Sequence, residues 1–217
     1  MKKIILVLGM TLALTAAVQA TVIFTGDWGV NSAAGTIPDN SSVGITAQQA
    51  MGAAYNGDGN SGISDVEVRL SISGGYNGDL YGYLMFDNGT SAQTTVLLNR
   101  VSGIGVAGAS GFDNITLSDA GTGGSIQDTV TATGGSYTAY QTLNTTAGSA
   151  GGFGGMNVSG GGTWTLFLAD LATGDQSQLV SWGLNVSVVP EPETYALGIF
   201  GGALALFVLG CRMARQD

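Results

Sequence analysis

The chain has 217 residues, a formal charge of −9, no histidine and one cysteine. Without an imidazole there is no Ser-His-Asp or Cys-His relay and no His-ligated metal, and a lone thiol closes no disulfide within the chain. Thirty-seven glycines with three prolines suit many short strands joined by Gly-rich turns rather than a helical bundle.

Residues 1–20 have the layout of a secretory leader: Lys2 and Lys3, an apolar run, then Val18-Gln19-Ala20 as a small-residue cleavage site. Between residues 21 and 189 the only basic side chains are Arg69 and Arg100. Such a surface cannot neutralise phosphates, which excludes nucleic acid as a partner. The acidic excess leaves carboxylates for divalent cations.

Residues 21–61 are the least patterned part. Val22-Ile23-Phe24 reads as a first strand, Ile37-Pro38-Asp39-Asn40 as a turn and Asn56-Gly57-Asp58-Gly59-Asn60 as a loop. From Ile63 the alternation is clear. Val66, Val68, Leu70 and Ile72 share one face of a strand, and Glu67 and Arg69 form an exposed pair on the other. Residues 80–86 alternate likewise, and Asp87-Asn88-Gly89-Thr90 is a hairpin turn leading to a returning strand at 94–101. Further strands are expected at 112–119, 126–133 and 137–143, with long Gly-rich loops after them.

Residues 162–186 organise the chain. They read as a hairpin in which Trp164, Leu166 and Leu168 on one strand, and Trp182, Leu184 and Val186 on the next, face the interior. Two tryptophans on buried faces would anchor the core. The loop between them carries Asp170, Gly174 and Asp175. The resulting fold class is all-β and antiparallel. Pro190-Glu191-Pro192 then ends the last strand, an apolar run at about 195–211 forms a hydrophobic helix, and Arg212 and Arg215 follow it.

The tail, residues 189–217, resembles a PEP-CTERM sorting signal in its Pro190-Glu191-Pro192 motif, apolar helix and basic end. That resemblance implies an exosortase-type processing enzyme as partner, a membrane-anchored precursor in a Gram-negative bacterium, and a product at the cell surface or in the extracellular matrix.

Residues 21–188 resemble the P domain, or homo B domain, that accompanies subtilisin-like proprotein convertases. The resemblance runs through Ile37-Pro38-Asp39-Asn40, Ile63-Ser64-Asp65-Val66, Gly78-Asp79-Leu80, Val96-Leu97-Leu98, Phe112-Asp113-Asn114, Ser118-Asp119, Gly162-Thr163-Trp164-Thr165-Leu166, Asp170, Gly174-Asp175 and Ser181-Trp182. It implies a jelly-roll-like β-sandwich. The chain departs from the family at Gly74, where a histidine is frequent, and it contains no protease domain.

Oxygen-ligand chemistry makes Asp79, Asp113, Asp119, Asp170 and Asp175 candidate calcium ligands. The competing role for each is an Asp side chain bonded to its own turn. Tyr76, Tyr81, Tyr83, Tyr137 and Tyr140 could stack on sugars, or simply pack across strands. Paired carboxylates of glycosidase type are not apparent, because the acids sit in Gly-rich turns. The expectation is therefore an exported, non-catalytic module, structural or binding. The alternatives are an adhesin contacting polysaccharide or protein, and an accessory docking on a separate protease.

Overall fold

The computed structural model describes residues 21–25, 35–52, 61–101, 110–129, 132–144 and 152–190. The expected leader helix, the Asn56–Asn60 loop and the hydrophobic tail helix lie outside the described residues. Among the described residues eleven strands follow in order: β1 Thr21–Thr25, β2 Gly35–Thr36, β3 Ser41–Met51, β4 Ser61–Gly74, β5 Leu80–Asp87, β6 Ala92–Asn99, β7 Phe112–Leu117, β8 Ala132–Thr133, β9 Ser136–Tyr137, β10 Gly162–Asp170 and β11 Ser177–Pro190. They form two sheets packed as a β-sandwich. One runs β1-β11-β4-β7-β8, with β2 on β11 and β9 on β7; the other runs β3-β10-β5-β6.

The alternation of β4 and β11 explains the core. Val66, Val68, Leu70 and Ile72 point inward beside Trp182, Leu184, Val186 and Val188, all essentially inaccessible. From the facing sheet come Leu80, Leu84, Phe86, Trp164, Leu166 and Leu168. Each such side chain contributes about 1.5–3 kcal/mol by leaving water. Trp164 lies 4.5 Å from Phe86 and 5.0 Å from Phe153, ring centre to ring centre, so a loop residue closes the core beside the central strand.

Three local expectations are corrected. Residues 162–186 are not a hairpin: β10 pairs with β3 and β5, and β11 with β1, β2 and β4. The 171–176 loop therefore crosses between sheets, and the two tryptophans meet the interior from opposite layers. Residues 126–143 are not two full strands. They hold a 3-10 turn, Ile126–Asp128, and the short β8 and β9. Their polar groups instead close the edge of β6. The Val96 and Asn99 N–H groups donate to the side-chain oxygens of Gln141 (2.8 Å) and Gln127 (2.9 Å), and Tyr140 N–H donates to Leu97 O (2.9 Å). Side-chain amides thus stand in for a neighbouring strand and cover an edge that would otherwise be a pairing hazard. Third, Glu67 and Arg69 are half-buried rather than exposed, and Glu67 accepts a hydrogen bond from Asn185 Nδ2 at 3.0 Å across the sheet.

The long strand β3 is unforeseen by sequence pattern. Its Gly44 has φ +55° and bends the strand where a Cβ would meet the Leu168 carbonyl oxygen and come within 2.8 Å of the Phe167 ring. Left-handed backbone and this close approach both require glycine. Gly44→Ala is expected to cost about 1–3 kcal/mol, read as a lower urea midpoint with an unchanged slope.

Candidate functional site: an acidic end of the sandwich

The sheet-to-sheet crossings gather acids at one end. Strand β10 delivers Asp170 there, the 3-10 turn Asn77–Asp79 delivers Asp79, the 171–176 loop delivers Asp175, and the turn before β3 delivers Asp39. The backbone ties these pieces together: Leu171 N–H donates to Asp79 O (2.8 Å), Asn40 N–H to Ala172 O (3.2 Å) and Gly174 N–H to Asp39 Oδ2 (3.3 Å).

Asp170 is wholly buried, and its Oδ2 has no hydrogen-bond partner. Its other oxygen receives only a long bond, 3.5 Å, from Ala172 N–H. Burial pushes its carboxyl above the ordinary value. The Ala172 N–H opposes that, and repulsion from Asp79, Asp39 and Asp175 adds to it. Two more buried oxygens at this end, Asn77 Oδ1 and Ser177 Oγ, also lack partners. Asn77 is fixed by its amide, which donates to Gly111 O at 2.9 Å. Arg100 supplies the local positive charge. It stands 3.5 Å from Asp79 in the one ion pair among the described residues, and its Nε donates to Gly78 O at 3.0 Å.

Of the five aspartates expected as calcium ligands, Asp79, Asp170 and Asp175 lie at this one end. Asp113 is exposed on β7. Asp119 belongs to the other end and clamps a loop, accepting from Leu143 N–H (2.7 Å) and Asn144 N–H (2.8 Å). Asn144 in turn donates to Asp65 and accepts from Val66 N–H at 2.8 Å. Burial, and then repulsion from Glu67, raise Asp65, while the Asn144 bond opposes them. Sequence reasoning missed Asp39, Asn77 and Ser177. Only the Ile37-Pro38-Asp39-Asn40 turn carried any signal.

Among the described residues no three acidic side chains are grouped closely enough to hold a metal between them. The donor chemistry nevertheless suits a hard cation: a buried carboxylate oxygen without a donor, with further carboxylate and amide oxygens at the same end.

The five tyrosines do not form one platform. Tyr81 and Tyr83 lie on β5, Tyr137 is on β9 of the other sheet, and Tyr76 and Tyr140 are in loops. Tyr83 stacks on Phe167 of β10 at 4.7 Å, the cross-strand packing role.

No family model matches the chain, and no curated protein and no solved structure matches it either. Fold and geometry together define a class, a two-sheet all-β protein with an acidic end at which Asp170 is buried and under-satisfied. Among the described residues no helix is long and apolar enough to cross a membrane.

Proposed function

We propose that the chain is an exported, non-catalytic module of jelly-roll type, similar to a P domain, processed at both ends and acting outside the cell as a structural or binding protein. The observation that carries this reading is the register of the terminal strands. Thr21, the residue after the expected leader cleavage site, pairs with Val188, two residues before the Pro190-Glu191-Pro192 motif. A folded unit thus fills the span between two processing signals, with both leaving from one end of the same sheet. The 14-residue β11 places the acidic end roughly 40 Å from that exit at about 3.3 Å per residue, where it faces away from a membrane holding the tail. The lack of histidine throughout the sequence supports a role without proton-relay chemistry. Calcium is held at the distal end, with Asp170 and Asp79 as principal ligands and Asp39 and Asp175 as outer carboxylates. Its role there is to supply the charge that Asp170 lacks.

Expression of the full chain in a Gram-negative host with an exosortase-type enzyme is expected to give a product starting at Thr21 and lacking the apolar tail, read by intact mass. In Glu191→Ala the tail is expected to remain. A full-length mass for the wild type in that host would overturn the proposed processing.

A further inference from the structure

The two outer faces of the sandwich differ in kind. On the seven-stranded sheet, β4 and β11 present Asp65, Glu67, Arg69, Ser71, Asn185 and Ser187. On the four-stranded sheet the registers align Thr46, Phe167, Tyr83 and Val96 in one row, with Thr165, Met85 and Thr94 in the next. Tyr81, Tyr83, Met85 and Phe167 are half-buried there, and the exposed positions beside them are Thr46, Gln48 and Thr94. No charged side chain lies in either row. Thr165 in the second row is buried, and Gln48 Nε2 donates to its Oγ1 at 3.3 Å.

A charge-free centre of Tyr, Phe and Met with a hydroxyl rim is the composition of a protein interface, where charged residues are depleted. In a chain of charge −9, it is a face on which two copies can approach without like charges meeting. We infer that this face is a self-association surface: two copies of the chain pack four-stranded sheet on four-stranded sheet about a two-fold axis, burying the Tyr83–Phe167 ridge. The ring geometry favours this occupant over a sugar. Tyr83 and Phe167 lie 4.7 Å apart and 15° from parallel, so each covers one face of the other and closes it to a sugar. A paired ring offers a sugar one face at most, whereas paired rings on neighbouring strands form a ridge that packs when sheet lies on sheet.

Size sets the strength. Four strands about 4.8 Å apart and about eight residues long, at roughly 3.3 Å each, present on the order of 500 Å². Two copies would bury roughly 1,000 Å² in total, the lower end for specific complexes. The association is therefore weak and concentration-dependent, and it rests on neither leader nor tail processing.

The test is sedimentation equilibrium of the full chain in mild detergent across a range of concentrations. The wild type is expected to follow a monomer–dimer curve in the micromolar range. Thr46→Glu combined with Thr94→Glu places like charges across the two-fold and is expected to weaken it at least about tenfold. Gln178→Glu combined with Thr133→Glu, exposed on the other sheet, is expected to leave it unchanged. Melting temperatures of both variants report whether they fold. If the Thr46/Thr94 variant unfolds, Thr94→Glu alone serves instead, and it is expected to weaken the dimer while Gln178→Glu alone does not. A wild type that stays monomeric, or dimers equally weakened by both charge pairs, would overturn the inference. So would a monomer retarded by a neutral glucan in affinity electrophoresis, which would assign the face to polysaccharide.

Discussion

Replacing Trp164 with alanine is expected to lower the stability of the domain by about 3–5 kcal/mol, the range for deleting a large buried aromatic. The indole is wholly inaccessible and contacts two aromatic partners, Phe86 on the adjacent strand and Phe153 from a loop. Its loss therefore removes transfer free energy and opens a cavity that two rigid rings cannot collapse into. For a chain of this length the shift in Tm would be on the order of 10 °C. Because the Phe153 contact joins a loop to the core, the double variant with Phe153→Ala is expected to cost less than the sum of the singles. Additive losses in thermal unfolding would mean that the loop does not share the Trp164 site. Tyr83→Ala on the outer face is expected to cost far less in the isolated chain, since that ring is half-buried and faces outward.

Face assignments were legible where strands bury one side only. In β4, β5, β10 and β11 apolar residues alternate over stretches such as Val66–Ile72 and Trp164–Leu168, and those residues are core. Which sheet a strand joins was not legible. Alternation across residues 162–186 is the same whether the next strand pairs beside β10 or packs opposite it. Here the 171–176 loop spans the sandwich instead of closing a hairpin. Strand β3 escaped notice because it is rich in Ser, Thr, Gln and Ala and kinked at Gly44, so its inward residues, Ala47 and Met51, give a thin pattern. The acidic end was half legible. Asp79, Asp170 and Asp175 stand out as acids in Gly-containing turns, but Asp39 reaches the group through a Gly174 contact spanning most of the chain, which no local pattern encodes. The expected strand at 137–143 failed because Gln141 satisfies β6 with its side chain as well as its backbone.

Asp170→Asn is expected to make the calcium-free domain more stable at neutral pH by on the order of 1 kcal/mol, because removing a buried uncompensated charge gains more than the new amide N–H groups cost. Asparagine keeps the shape and an acceptor for Ala172 N–H while removing the charge that burial and three neighbouring aspartates oppose. The pH dependence follows from the same shift. Asp170 and Asp65 both have folded-state pKa values raised above the ordinary 3.8, so the native state holds these protons more tightly than the unfolded chain. Their favourable contribution is complete below pH about 3.8 and is lost as pH rises through the raised folded values. Acidifying the calcium-free protein from neutrality into that window should therefore leave the wild type with a higher Tm relative to Asp170→Asn than it has at neutral pH, since only the wild type gains from protonating Asp170. With calcium bound as proposed, the sign is expected to reverse. A bound cation favours ionised Asp170, and at a hundredfold excess over its Kd contributes about 2.7 kcal/mol to the wild type. The variant, without that carboxylate, should gain little. A wild type whose Tm ignores calcium would remove the cation from the acidic end. A variant less stable than wild type in chelator would show that the Asp170 charge is already compensated in the folded chain.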